Sequence, residues 1–314
     1  MNRYLFLLCM MCSAIVSASA QQITFTPQWT PQSQFAGYYA ALENGYYDEA
    51  GLDVSIVHPE KSYSSVNMLL DGSADIITSE LIQAMSVAGN GIKLVNILQT
   101  TQHSTLALIS REQNVKSMVQ LKGCRIGTWK VGFSEIPQMI DDQYNLDIEW
   151  IKFINPINLY ISGAIDATLV KSYNEQVLFS MSGIAPGSVL KFSDMGFDYP
   201  EDGLYVTEEY YNNNKELCRK FAEASRKGWE WVRENREKAL EIIMKYIEMN
   251  NVPSNIYNQK VMLNGILEAQ EDVKGGTPSY KLDEEAFNRL NSRLVQYGYI
   301  TRLIDYKRFT GGAL

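Results

Sequence analysis

Trp29 and Trp129 are the residues best able to grip a flat ring: each follows a short β-rich run and precedes a helical stretch. Aromatic pairs add roughly 0.5–1.5 kcal/mol beyond the area they bury. Polar groups stand at equivalent places. Ser79 and Glu80 follow a third strand, Thr128 precedes Trp129, and Tyr173-Asn174-Glu175 follows a strand at 167–170. Glu80 and Glu175 would accept from an exocyclic amine, while Asn174 both donates and accepts. Glu80 also suits the first turn of a helix, where an acid is favoured by the dipole. Gly37 opens a helix; a missing side chain there lets either a ligand or a second helix approach the backbone. Covalent chemistry has poorer support. His58 and His103 are the only histidines and have no cysteine or histidine at ligand spacing, which sets zinc aside. No G-x-S-x-G, H-E-x-x-H or P-loop motif occurs. The residues point to recognition, with no cofactor.

Such residues need a scaffold that brings strand ends together. Short β-rich runs alternate with helical stretches throughout, the pattern of an α/β architecture. Strands are expected at 23–25, 52–57, 74–78, 94–98 and 106–110, with helices at 34–50, 64–71 and 80–88 between them. The pattern then restarts: helices at 117–121, 134–142 and 158–162 separate strands at 124–126, 150–153 and 167–169. Later strands fall at 188–192 and 204–206. Long helices follow at 215–246, with a break near Glu234-Asn235, and at 255–270 and 283–297. Phe221, Ala224, Ala239, Ile242, Ile243 and Ile247 give the first of them an apolar face suited to a sheet. No Pro- or Ser-rich linker marks the restart near residue 111. A discontinuous first lobe explains that.

The N-terminus reads as an export signal. Arg3 precedes an apolar run from Tyr4 to Val16, and Ala18-Ser19-Ala20 supplies small residues for cleavage before Gln21. Lipidation at Cys9 or Cys12 is the alternative, disfavoured by the short apolar stub ahead of either cysteine. The expected location is periplasmic. The whole chain carries 28 basic and 36 acidic residues, and removing Arg3 makes the mature chain more acidic still. That charge repels phosphate backbones, so no nucleic-acid partner is expected. Cys124 and Cys218 remain after cleavage and are expected as two buried, unpaired thiols.

Five segments, in order, resemble one family. Gln28 to Ala41, with Asn44-Gly45-Tyr46-Tyr47 and Ala50-Gly51-Leu52-Asp53-Val54, is similar to the opening of the thiamine-pyrimidine and alkanesulfonate group of type II periplasmic binding proteins. Asp71-Gly72-Ser73-Ala74-Asp75-Ile76 resembles the family's turn into a strand, and Gln102 to Ser110 its crossover. Leu121 to Gly127 and Ser162 to Ala167 resemble two further family segments. The resemblance covers roughly residues 23 to 245. It implies two lobes of mixed sheets flanked by helices, joined by two crossovers and closing on a small-molecule ligand for an ABC transporter permease. Residues 1–20 would be the signal peptide, 21–110 and 195–314 the first lobe, and 111–194 the second. A monomer is expected.

The resemblance also extends the candidate site. Gln32 stands where the family commonly has asparagine, and Phe35 where members that bind thiamine precursors often have histidine. His103 with Ser104 lies at the first crossover. Asp202, or Glu201, precedes the return strand and would meet the ligand from the second crossover. With Trp29, Gly37, Ser79, Glu80, Thr128, Trp129, Tyr173, Asn174 and Glu175, these residues would sandwich a small heteroaromatic resembling a thiamine pyrimidine precursor. The alternative ligand is a sulfonate such as taurine. The same family includes a thiamine pyrimidine synthase that uses a lysine-bound pyridoxal phosphate and a histidine. Ser79 and Gln83 stand at those two positions here, and serine offers no amine for a Schiff base.

Overall fold

The computed structural model describes residues 21–60, 63–130, 133–153, 156–272 and 275–312. The signal-peptide segment lies outside the described residues. Two five-stranded mixed sheets organise the chain. The first has the order β2-β1-β3-β10-β4, from Gln21–Thr26 (β1), Leu52–Ile56 (β2), Ile76–Glu80 (β3), Leu94–Gln99 (β4) and Asp202–Thr207 (β10). The second has the order β7-β6-β8-β5-β9, from Leu106–Ser110 (β5), Arg125–Trp129 (β6), Glu149–Phe153 (β7), Ala167–Lys171 (β8) and Ser188–Lys191 (β9). In each sheet the first three strands run parallel. The fourth, delivered by a crossover, pairs antiparallel with its neighbours.

The crossovers correct one expected boundary. A first-lobe boundary at residue 110 would put Leu106–Ser110 in the first lobe, but the strand pairs with β8 and β9 and so belongs to the second sheet. Its signal is ambiguous in the sequence, because an all-buried strand shows no alternation to say which sheet it faces. The chain therefore passes between the sheets at Thr100–Thr105 and again at Phe192–Glu201.

Helix breaks have local causes. The helix expected over 34–50 is divided into Ala36–Glu43 and Tyr46–Glu49 because Gly45 takes a left-handed φ of 74°. The expected break at Glu234-Asn235 is present, between helices Lys215–Glu234 and Arg236–Met249. Phe221, Ala224, Ala239, Ile243 and Ile247 are buried as their spacing requires, with Ile242 partly covered. Cys218 is buried and unpaired, whereas Cys124 is unpaired but only half-buried.

Gly37 has a packing reason. Its helix crosses Lys215–Glu234 so closely that a Cβ on Gly37 would sit 2.3 Å from Trp229 Cγ. A Cβ on Gly228 would come 2.0 Å from the Gly37 carbonyl oxygen. Gly37→Ala is expected to lower stability by about 1–3 kcal/mol or more, as overpacking does. Urea unfolding checks this; unchanged stability with weakened ligand binding would instead put Gly37 at the ligand.

Candidate functional site

The parallel strands β1, β3, β6 and β8 end facing the gap between the sheets, where loops and helix N-termini leave groups free for a ligand. Trp29 and Trp129 both reach this gap. A third ring, which the sequence reading omitted, stands between them. The centroid of Phe133 lies 5.6 Å from that of Trp29 and 5.0 Å from that of Trp129, both edge-on. Phe133 holds a left-handed φ of 64°, uncommon for a bulky residue and a mark of local constraint. The two tryptophans thus share a slot that the chain fills with its own aromatic ring.

Behind Trp29 lies an amide relay. Trp29 Nε1 donates to Gln34 Oε1 at 2.9 Å, and Gln32 Nε2 donates to the same oxygen at 2.6 Å. Gln34 Nε2 then donates to Asp202 at 2.6 Å, and Gln28 Nε2 reaches that carboxylate at 3.0 Å. Burial pushes the Asp202 carboxyl up to about 6, against the pull of Gln34. Gln34 holds the group together, yet it gave no signal in a sequence with several neighbouring glutamines. Phe35 is buried behind Trp29 and against His58, so it packs the wall and does not face the gap. His58 bonds the Trp29 carbonyl and Tyr39, and burial lowers it to about 4, so the imidazole is neutral.

The other wall is acidic. Glu175 Oε1 accepts from Trp129 Nε1 at 3.2 Å and Oε2 accepts from the Lys171 N–H at 3.0 Å. Burial raises its pKa against those bonds. Asn174 contacts the same carboxylate at 3.4 Å. Tyr173 stands close enough to Asp202, Glu201, Glu80 and Glu175 for their charge to add to burial in raising its pKa. It is buried within the first lobe's core cluster, where its Cβ would meet a Cβ on Gly265 at 2.8 Å, and it therefore ties the lobes together.

Lys171, at the end of β8, is the residue that sequence reasoning missed most plainly. Its Nζ lies 2.9 Å from Glu80 Oε1 and 2.9 Å from Glu201 Oε2, with both side chains buried. The ammonium also sits over the Phe133 ring, 4.7 Å from its centroid. Burial alone would lower the Lys171 pKa, but Glu201 and Glu80 outweigh it and keep the lysine charged. Glu80 itself is raised by burial, with Glu201 and Asp202 adding to the effect. Register explains part of this: Glu80 is directly opposite Asp202 in the β3–β10 pair. Two acids placed opposite one another are unfavourable in a sheet. A lysine ending an otherwise apolar strand, at the strand's carboxyl end, was the available signal.

The remaining candidates hold the frame. Ser79 pairs with Gly203, is 1% exposed, and donates only weakly to the Glu80 carbonyl at 3.4 Å. The expected helix start at Glu80 is one residue early, since Ser79 and Glu80 complete β3 and the helix is Leu81–Gly89. Thr128 is buried in β6 with a partnerless hydroxyl. His103 Nδ1 lies 2.7 Å from Asp198 Oδ2, joining the two crossovers, and this partner raises its pKa. Glu201 links them again, accepting from Ser104 Oγ at 2.9 Å and Thr105 Oγ1 at 2.6 Å. His103 thus joins the two segments that connect the lobes.

Comparison with known proteins accords with this geometry. The family described as NMT1/THI5 like matches residues 32–239. The formylaminopyrimidine-binding protein of Halalkalibacterium halodurans is 24% identical over 282 residues, covering 87% of this chain and 84% of that protein. The 4-amino-5-hydroxymethyl-2-methylpyrimidine phosphate synthase THI13 of Saccharomyces cerevisiae is 23% identical over 239 residues, 70% of each chain. Among solved structures, the periplasmic aliphatic sulphonate binding protein SsuA of Escherichia coli aligns with a TM-score of 0.68 at 14% identity, covering 92% of this chain and 91% of its own. The chain belongs to the NMT1/THI5-like family and has the two-lobed fold of the periplasmic binding proteins.

Proposed function

We propose that this chain is the exported, monomeric solute-binding component of an ABC-type importer and that its ligand is a flat nitrogen heteroaromatic carrying amino groups. One observation carries the ligand class. The gap between the lobes holds Trp29, Phe133 and Trp129 beside the carboxylates of Glu80, Glu135, Glu175, Glu201 and Asp202, and its ammonium, Lys171, is already held by two of those acids. Carboxylates accept hydrogen bonds from ring amines. A sulfonate asks for the reverse, a cradle of donors and unspent positive charge. The similarity to a formylaminopyrimidine-binding protein supports the same choice.

The synthase reading lacks a nucleophile. A Schiff base needs a neutral amine, and Ser79 has none. Lys171 carries an amino group, but it stays protonated between Glu80 and Glu201 and so offers no neutral amine. Binding, without catalysis, is what the site supports.

Native mass spectrometry of protein expressed with its own leader tests the proposal. The expected species begins at Gln21 and carries a noncovalent nitrogen heteroaromatic. Retention of Tyr4 to Ser19 would overturn export, and a co-purified sulfonate would overturn the ligand class.

A further inference from the structure

Phe133, which touches both tryptophans, also lines a small cavity of about 30 Å³, whose polar lining includes Lys171, Glu80, Glu135, Glu201 and Tyr199. Its polar groups are unevenly answered. Lys171 bonds Glu80 and Glu201 directly, whereas Glu135 feels its charge only at longer range and makes no ion pair of its own among the described residues. Backbone N–H groups of Ser134 and Glu135 support its carboxylate, while Oε2 is buried without a hydrogen bond. The hydroxyl of Tyr199, a residue only 4% exposed, is likewise partnerless. Buried polar groups ordinarily find partners, and each unpaired one costs free energy. Two of them on one cavity wall describe a place awaiting a donor.

We propose that this cavity is a cation subsite that takes a protonated amine on a short arm of the ligand's ring, with Glu135 as its counter-ion and Tyr199 as a second acceptor. The inference rests on the heteroaromatic reading and adds an arm to it. Size and charge decide the class. A volume of about 30 Å³ holds one or two water-sized groups, which admits an aminomethyl head and excludes a second ring. An alcohol of the same length would fit but would offer the buried Oε2 of Glu135 no charged donor. A metal ion is poorly served, because no group of metal-binding side chains gathers among the described residues.

Calorimetry with two probes tests the subsite: 4-amino-5-aminomethyl-2-methylpyrimidine and its 5-hydroxymethyl counterpart. The amine is expected to bind at least ten-fold more tightly. Glu135→Gln should shrink that preference to about two-fold, weakening the amine far more than the alcohol, and Tyr199→Phe, which removes only a hydroxyl, should reduce it by about three-fold. Equal binding of both probes to the native chain, or a preference untouched by Glu135→Gln, overturns the subsite and leaves the heteroaromatic reading standing. If the native chain binds neither probe, the reading itself fails and the subsite with it.

Discussion

Lys171→Met is expected to destabilise the folded chain by about 3–5 kcal/mol near neutral pH, the usual cost of removing one partner from a buried ion pair. The lysine sits in the second sheet, Glu80 in the first, and Glu201 on the crossover between them. Without the ammonium, two buried carboxylates face one another beside Asp202. Methionine restores much of the volume, so the loss is electrostatic and depends on pH. Glu80 is already raised above the usual carboxylate range by burial, and losing Lys171 raises it further. An acid whose folded pKa exceeds its unfolded pKa penalises the folded state above the unfolded value, and the penalty grows until pH reaches the folded pKa. The deficit of the variant should therefore shrink as pH is lowered toward about 4. Adding Glu80→Gln to Lys171→Met should recover part of it. Urea unfolding at several pH values checks both points; a deficit independent of pH would mean that Lys171 acts by packing alone.

Trp29→Ala and Trp129→Ala are each expected to weaken ligand binding by ten-fold or more. Each removes an aromatic wall, worth roughly 0.5–1.5 kcal/mol beyond area burial, together with the area itself. Each also releases a hydrogen bond that fixes an acceptor: Trp29 Nε1 holds Gln34, and Trp129 Nε1 holds Glu175. Gln34 in turn supports Asp202. Replacement by phenylalanine should recover the ring contact but not the acceptor's orientation, giving an intermediate loss. Intrinsic fluorescence should be quenched on binding in the native chain and much less so in either variant. Full affinity in both alanine variants would move the ligand away from the slot.

Much of the architecture was legible because periodicity and turn residues speak locally. The alternation of Leu52 to Ile56, the glycine after Ala50 and the spacing around Phe221 each fixed an element without reference to the rest of the chain. Sheet membership was not local, and Leu106–Ser110 went to the wrong lobe for that reason. The site divides in the same way. Trp29, Trp129, Glu80, Glu175 and Asp202 could be proposed from the sequence because strand ends converge in such folds, and the structure brings Trp129 to Glu175 and Glu80 opposite Asp202. Lys171 stood at an equivalent strand end, yet an isolated lysine looks like surface until its two acids are brought from 91 and 30 residues away. Phe133 follows no strand directly, and its place between the tryptophans depends on residues from both lobes meeting. Gly37 was open to either a ligand or a second helix and packs against Trp229, while Phe35 packs behind Trp29.

Isothermal titration of the mature chain with an aminopyrimidine and with an alkanesulfonate, side by side, tests the ligand class most directly. The acid-rich, aromatic gap predicts 1:1 binding of 4-amino-5-hydroxymethyl- or formylamino-pyrimidine that is weakened ten-fold or more by Trp129→Ala, and no measurable heat with taurine or longer sulfonates. Tight sulfonate binding that persists in Trp29→Ala and Trp129→Ala would contradict it.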